Sequence, residues 1–197
     1  MRINPEKKEE RERVAHSLLR ATLTLAAAHG FGSLGLREVS RTAGIAPTSF
    51  YRHFADMEEL GLALIETLFG PLVLALSSVE GASPQDPVES LVNRTLAAAV
   101  EDAELFRFVV AERVGSVSSF RAALGGKLAL LSTALLVAHH AGDAAAAREG
   151  SDAAVTLLLD ACGELLDRGP ESFPRLSARV VRQARLLLGR PGTESAS

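Results

Sequence analysis

The stretch "GIAPTSFYRHFADMEELG", Gly44 to Gly61, decides how the rest of the chain is read. It sets the only tyrosine, Tyr51, between Phe50 and Phe54, in a 197-residue sequence with eight Phe and no Trp. Pro47 suits the first turn of a helix, where the N–H that proline lacks would have had no intrahelical partner. Phe50 and Phe54 stand four apart and so share one helical face. Thr48, Ser49, Tyr51, Arg52 and His53 are left to project outward or sideways. An apolar pair beneath a row of hydroxyl, phenol, guanidinium and imidazole groups describes a short helix seated on a core and turned toward a charged partner. The plainer reading, in which Tyr51 caps a small core and Arg52 and His53 are merely solvated, leaves the grouping of donors unexplained.

Upstream, Val14, Leu18, Ala21, Leu25 and Ala28 recur at helical spacing and predict a long helix that "HGFGSLG" stops. Leu36, Val39 and Ala43 predict a second, short helix ending at Gly44, a residue suited to the left-handed conformation of a tight turn. Downstream, Asp56, Glu58 and Glu59 suit the positive end of a further helix running through Leu60, Leu64, Leu68 and Leu72. Residues 10–54 therefore follow the order helix, turn, short helix, tight turn, short helix, which is the layout of a helix-turn-helix. That motif sets its second short helix in the DNA major groove. Thr48 and Ser49 hydroxyls then reach bases or phosphates, Tyr51 donates to a phosphate oxygen, and Arg52 pairs bidentately with guanine or phosphate. Arg37, opening the preceding helix, reaches the backbone beside it.

Charge is distributed to match. Residues 1–54 carry nine Lys/Arg against five Glu, a net +4, whereas the rest of the chain is net −7, so the overall −3 conceals a basic N-terminal quarter.

Beyond "SSVEGASPQDP" (Ser77–Pro87), a linker-like stretch, the pattern is helical throughout: Val88–Val100, Leu105–Val114, Ser119–His140, Ala145–Arg168 and Glu171–Leu188. The expected fold class is all-α, with an N-terminal three-helix DNA-binding domain over residues 1–55 and an all-helical domain over 56–197, for which effector binding and dimerisation are expected from the family resemblance given below. Apolar rows at Val155, Leu158, Leu159, Cys162 and Leu166, then at Leu176, Val180, Ala184 and Leu187, mark the buried faces of the last two helices. The stretches "LGGKLALLSTALLVAHHAG" and "AAVTLLLDACGELLDRG" are apolar nearly all round and suit the wall of a ligand cavity as well as a packed core.

Enzymatic readings find no foothold. His139, His140 and Asp143 fall short of the about four ligands of a structural zinc, so no metal is expected. Cys162 lies in an apolar row and reads as a buried thiol, and neither a phosphate-cradling glycine loop nor a GxSxG is present, so no cofactor and no catalysis are expected. The charged N-terminus does not resemble a secretory signal, and no run approaches the roughly 18 apolar residues of a membrane span. The expectation is a cytoplasmic protein without a membrane partner.

The segment "LREVSRTAGIAPTSFYRHFADMEEL" resembles the DNA-binding signature of the TetR/AcrR family of bacterial transcriptional repressors. By that resemblance Arg37, Pro47, Thr48, Ser49, Tyr51, Arg52 and His53 stand where family members contact DNA, and the C-terminal domain binds a small effector. The resemblance also implies a homodimer through the last two helices, on a palindromic operator whose half-sites lie about one DNA turn apart. Two departures stand out. Met57 occupies a position where many members have a phosphate-binding lysine, and Gly35 and Ala46 stand where Ser or Thr caps the second and third helices. Together with "FRFVVAERVGSVSSFRAAL" (Phe106–Leu124), the signature is similar to the FabR/DesT-type branch, regulators of unsaturated fatty-acid synthesis that sense long-chain acyl-CoA or related thioesters. This implies a hydrophobic effector, with Phe106, Arg107, Arg113, Phe120 and Arg121 as candidate contacts. The arginines have a plainer reading as salt-bridge partners with stems lying along apolar surface. A multidrug or xenobiotic sensor and a DNA-binding protein without an effector are the alternatives.

Overall fold

A computed structural model describes residues 5–77, 86–139 and 144–188. Most of the linker-like stretch, His140 and Asp143, and the C-terminal "GRPGTESAS" lie outside the described residues. Among the described residues every regular element is helical.

Helix α1 runs from Pro5 to His29 and so begins well before the apolar row. Its charged start is held along the helix by Lys8–Glu12 and Glu10–Arg13 pairs. Further along, Leu18, Leu19, Ala21, Thr22, Leu23 and Ala26 are all buried, while Ala28, placed by spacing on the inner row, is exposed. The buried surface is wider than one stripe because α1 packs against the short helices that follow it on one side and against α7 on the other.

Helix α2 spans Leu36–Thr42 and α3 spans Pro47–Phe50, with Gly44 at φ +73° turning the chain between them. The helical geometry of α3 ends earlier than the Phe50/Phe54 spacing predicts. The chain tightens into three-residue turns, with Arg52 N–H to Ser49 O at 3.1 Å and His53 N–H to Phe50 O at 2.8 Å. Phe54 N–H still bonds Phe50 O at 3.1 Å, so both rings reach the same core. Helix α4 covers Met57–Leu64. Its start is closed reciprocally: Glu59 N–H donates to Asp56 Oδ1 at 2.8 Å and Ala55 N–H donates to the Glu59 carboxylate.

Between α4 and α5 (Gly70–Ser77) lies a π-helical turn, Ile65–Phe69, in which Gly70 N–H bonds Ile65 O. The wider turn rotates the buried row, so after Leu60 and Leu64 the core receives Ile65, Phe69, Val73 and Leu76, and Leu72 is only half-buried. Helices α6 (Pro87–Glu101), α7 (Ala103–Glu112), α8 (Ser118–His139), α9 (Ala144–Arg168) and α10 (Phe173–Leu188) complete the chain close to the bounds read from sequence. Helix α9 runs through the middle of this half, against α6, α7, α8 and α10. At the end of α10 it is Leu188 that is buried, while Leu187 faces out.

Two apolar clusters organise the interior. One joins α1 to α5 with α7, α8 and parts of α6, α9 and α10, and the other holds α6, α7, α9 and α10 together around Leu96, Phe106, Cys162 and Val180. The first is shared between the helix-turn-helix end and the rest of the molecule. At that seam Phe31, Phe108 and Phe120 form a trio with centroids 4.9 to 6.1 Å apart, Phe31 meeting the other two edge-to-face and Phe108 and Phe120 tilted against each other. Gly61 of α4 lies directly beneath Phe120, and a Cβ there would stand 2.1 Å from the ring's Cζ. Polar contacts line the same seam: Ser119 to Glu58 and Lys127 to Glu66, each at 2.7 Å, and Arg20 to Asp102 at 3.0 Å.

One expectation needs correction. Ser118–Val137 in α8 is long and apolar enough to cross a membrane by length and composition alone. Arg121 and Lys127 interrupt the stretch, so it contains no unbroken apolar run of that length. In the fold, α8 packs on α5 and α9 and pairs Lys127 with Glu66, yet only 28% of that stretch is buried, and Leu130 and Val137 face outward.

Candidate nucleic-acid interface

Helix α3 is held from below. Phe50 is fully buried and Phe54 nearly so, their centroids 5.9 Å apart, and both join the cluster with Leu18, Val39 and Leu60. Ser17 of α1 donates to Ala43 O at 3.2 Å, and Ile45 N–H bonds Ser40 O at 2.9 Å, fixing the turn that delivers Pro47. No side chain caps α2 or α3: Gly35 and Ala46 sit at their N-cap positions without a side-chain hydrogen bond. The orientation of the pair therefore depends on packing and on these backbone bonds.

On the opposite side Tyr51 is 65% exposed, with only an edge contact from its ring to Phe50 at 5.8 Å. Pro47, Thr48 and Arg52 are exposed, and Ser49 and His53 half-buried. Arg37 is exposed near the start of α2. Two hydroxyls, a phenol, two guanidinium groups and an imidazole are thus at least partly open to solvent on α2, α3 and the turn after it, a donor set matched to phosphate oxygens and base edges. Met57, at the first position of α4, is half-buried and packed against the core.

His53 is the least open of these. Its Nδ1 is buried without a hydrogen-bond partner. Burial, followed by the nearby positive charges of Arg11 and Arg52, holds its pKa below the ordinary value and keeps the ring neutral. Arg11 is a residue the motif did not reveal. It reaches from α1 to the carbonyl of Arg52 at 3.4 Å, in the turn after α3. The only sequence signal for it was the charged run before Val14, which carries no helical apolar period.

The five candidate effector contacts are not gathered around one space. Phe106 is buried in the cluster with Cys162 and Val180, 6.5 Å from Phe69, whereas Phe120 belongs to the trio at the domain seam. Arg107 pairs with Asp167 at 3.1 Å and with Leu166 O, Arg113 pairs with Asp160, and Arg121 donates to Gly115 O. Each arginine already has an internal partner, the plainer of the two readings its sequence context allowed. Cys162 is enclosed among apolar side chains, and burial pushes its thiol up to about 12.

Residues 18–64 match the family described as bacterial regulatory proteins, tetR family. The whole fold is similar to solved structures of this kind. A fatty acid degradation regulator, FadR, from Bacillus halodurans is 20% identical with a TM-score of 0.68, the match covering 88% of this chain and 97% of that one. FadR from Bacillus subtilis, solved in complex with stearoyl-CoA, is 16% identical with a TM-score of 0.68 and the same coverage. A transcriptional regulator from Rhodococcus sp. RHA1 is 18% identical with a TM-score of 0.73, covering 88% of this chain and 95% of that one. At these identities the likeness speaks for the fold.

Proposed function

We propose that this chain, whose residues 18–64 match the tetR family of bacterial regulatory proteins, is a transcriptional regulator of that kind: a homodimeric repressor that reads a palindromic operator and is controlled by a long-chain fatty acyl-CoA or related thioester. The observation that carries the DNA reading is the division of labour in α3 and its turn. Phe50 and Phe54 are locked into the core while Thr48, Ser49, Tyr51, Arg52 and His53 stand on the outer side of the same short segment, with Arg37 beside them. A symmetric operator requires two such surfaces about one DNA turn apart, which a two-fold dimer through α9 and α10 supplies. The outward Leu186 and Leu187 at the end of α10 favour that pairing, since a second subunit would cover them.

The acyl effector is favoured by the long apolar surface of α8 and by the fold shared with a regulator solved with stearoyl-CoA. It does not rest on Arg107, Arg113 or Arg121, which have partners of their own. Occupancy would move the dimer between geometries that fit or miss the half-site spacing. Fluorescence anisotropy with the protein's own upstream DNA tests both parts. Salt-sensitive binding is expected, shifted by about 5- to 150-fold when saturated or unsaturated acyl-CoA is added. Absence of DNA binding at low salt overturns the repressor reading. Binding that ignores every acyl-CoA overturns only the effector.

A further inference from the structure

Between the start of α1 and the turn that closes the reading helix lies a recess of about 460 Å³. Lys7, Glu10 and Arg11 form its α1 wall, and Ser49, Arg52 and His53 form the other. Three of these six side chains are cationic and one is a carboxylate. Glu10 is already engaged by Arg13, which points its charge along α1. Among the described residues Lys7, Arg11 and Arg52 have no carboxylate partner. Cations drawn together around open space without a counter-charge repel one another unless an anion joins them, so the recess is electrostatically incomplete.

His53 adds direction. Its Nδ1 is buried with no acceptor or donor beside it, so a proton placed there would be an unsatisfied buried N–H. The neutral ring is left with its proton on Nε2, where it serves as a donor. Half-buried Ser49 and exposed Arg52 flank Tyr51 in sequence and also line the recess, so the recess adjoins the proposed DNA-facing surface. The anion that fits a basic recess at the flank of a groove-reading helix is a phosphodiester of the same duplex.

We infer that this recess seats a DNA backbone phosphate between α1 and the reading helix, with Lys7, Arg11 and Arg52 supplying charge and Ser49 and His53 supplying neutral donors. The inference rests on the DNA-binding reading and extends it to α1, outside the helix-turn-helix. Such a seat fixes register without reading sequence, because phosphates carry no base information.

The test compares K7Q and R11Q with K8Q in the full-length protein. Lys8 carries the same charge one residue away but pairs with Glu12 and does not line the recess. Binding to the protein's own upstream duplex is measured by anisotropy across a salt series, with circular-dichroism melts confirming that these exposed substitutions leave the fold intact. Each lost phosphate contact lowers the slope of log K against log salt by about 0.9, hence about 1.8 for a dimer on two half-sites. K7Q and R11Q are expected to show that loss equally on specific and random DNA, and K8Q much less of it. H53Q, which retains an outward N–H, keeps the affinity that H53L loses. Slopes for K7Q and R11Q that match K8Q, with the wild type binding normally, overturn the seat and leave the repressor reading standing. Saturable binding of inorganic phosphate, seen by phosphorus NMR and abolished in R11Q while the DNA slope is unchanged, would make this a free-anion site and overturn its assignment to DNA. A wild type that binds no DNA at low salt overturns the seat and the repressor reading together.

Discussion

Tyr51 and Phe50 are neighbours in sequence and opposites in burial, and that contrast makes their roles separable by single substitutions. Tyr51→Phe keeps the ring and its edge contact with Phe50 but removes the hydroxyl. Operator affinity should fall at least about 10-fold, as expected for a hydrogen bond to a charged group, with the melting temperature unchanged. A drop in melting temperature without loss of binding would return Tyr51 to a packing role. His53 makes a second prediction. Its folded pKa lies below the ordinary value, chiefly through burial, so between the two values the unfolded chain binds more protons than the folded one. Its contribution to stability is therefore complete above about pH 6.5 and is lost as pH falls toward the lowered folded value. Urea titrations from pH 8 to pH 5 should show an acid loss that H53Q reduces. At this scale the split between a buried Phe pair and more open donors was legible because a spacing of four separates them. The ion pairs of Arg107 and Arg113 were not, because their partners Asp167 and Asp160 lie 60 and 47 residues away in the chain.

Single elements differ in how their ends are closed. Asp56 and Glu59 close α4 reciprocally, while α3 starts from Ala46 with no side-chain bond. Asp56→Ala should destabilise the protein by about 1 kcal/mol, and Ala46→Ser should stabilise it by a similar amount, both read by chemical denaturation. If Ala46→Ser gives nothing, the packing of Phe50 and the Ser40–Ile45 backbone bond already hold α3 as firmly as a cap would. Caps, glycine stops and apolar periods made nearly every helix readable from sequence within a few residues. The π-helical turn at Ile65–Phe69 was not readable, since its one visible effect, a rotation of the buried row from Leu64 to Ile65, arises from backbone bonding rather than from composition. The length of α1 was missed for a related reason: a solvated charged turn has no apolar rhythm.

For the molecule as a whole, the dimer proposal predicts that Leu186→Glu shifts the protein toward monomer in size-exclusion chromatography with light scattering and weakens operator binding in parallel. At 77% exposure Leu186 contributes little to the protomer's own core, so a monomer that remains folded is the expected product. A dimer that persists in Leu186→Glu would mean that some other face pairs the subunits. The two-part, all-helical architecture was legible from sequence, but the continuity of one core across both parts was not, because it is built from Phe31, Phe108 and Phe120, far apart in the chain. The fit of Phe120 over Gly61 carries this continuity into heredity. Neither position can drift alone: an alanine at 61 has no room while a phenylalanine stands at 120, and a smaller residue at 120 leaves a hole that glycine cannot fill. Gly61→Ala should fail by itself and recover when paired with Phe120→Leu, so that in any lineage of such sequences the two sites would change together or hardly at all.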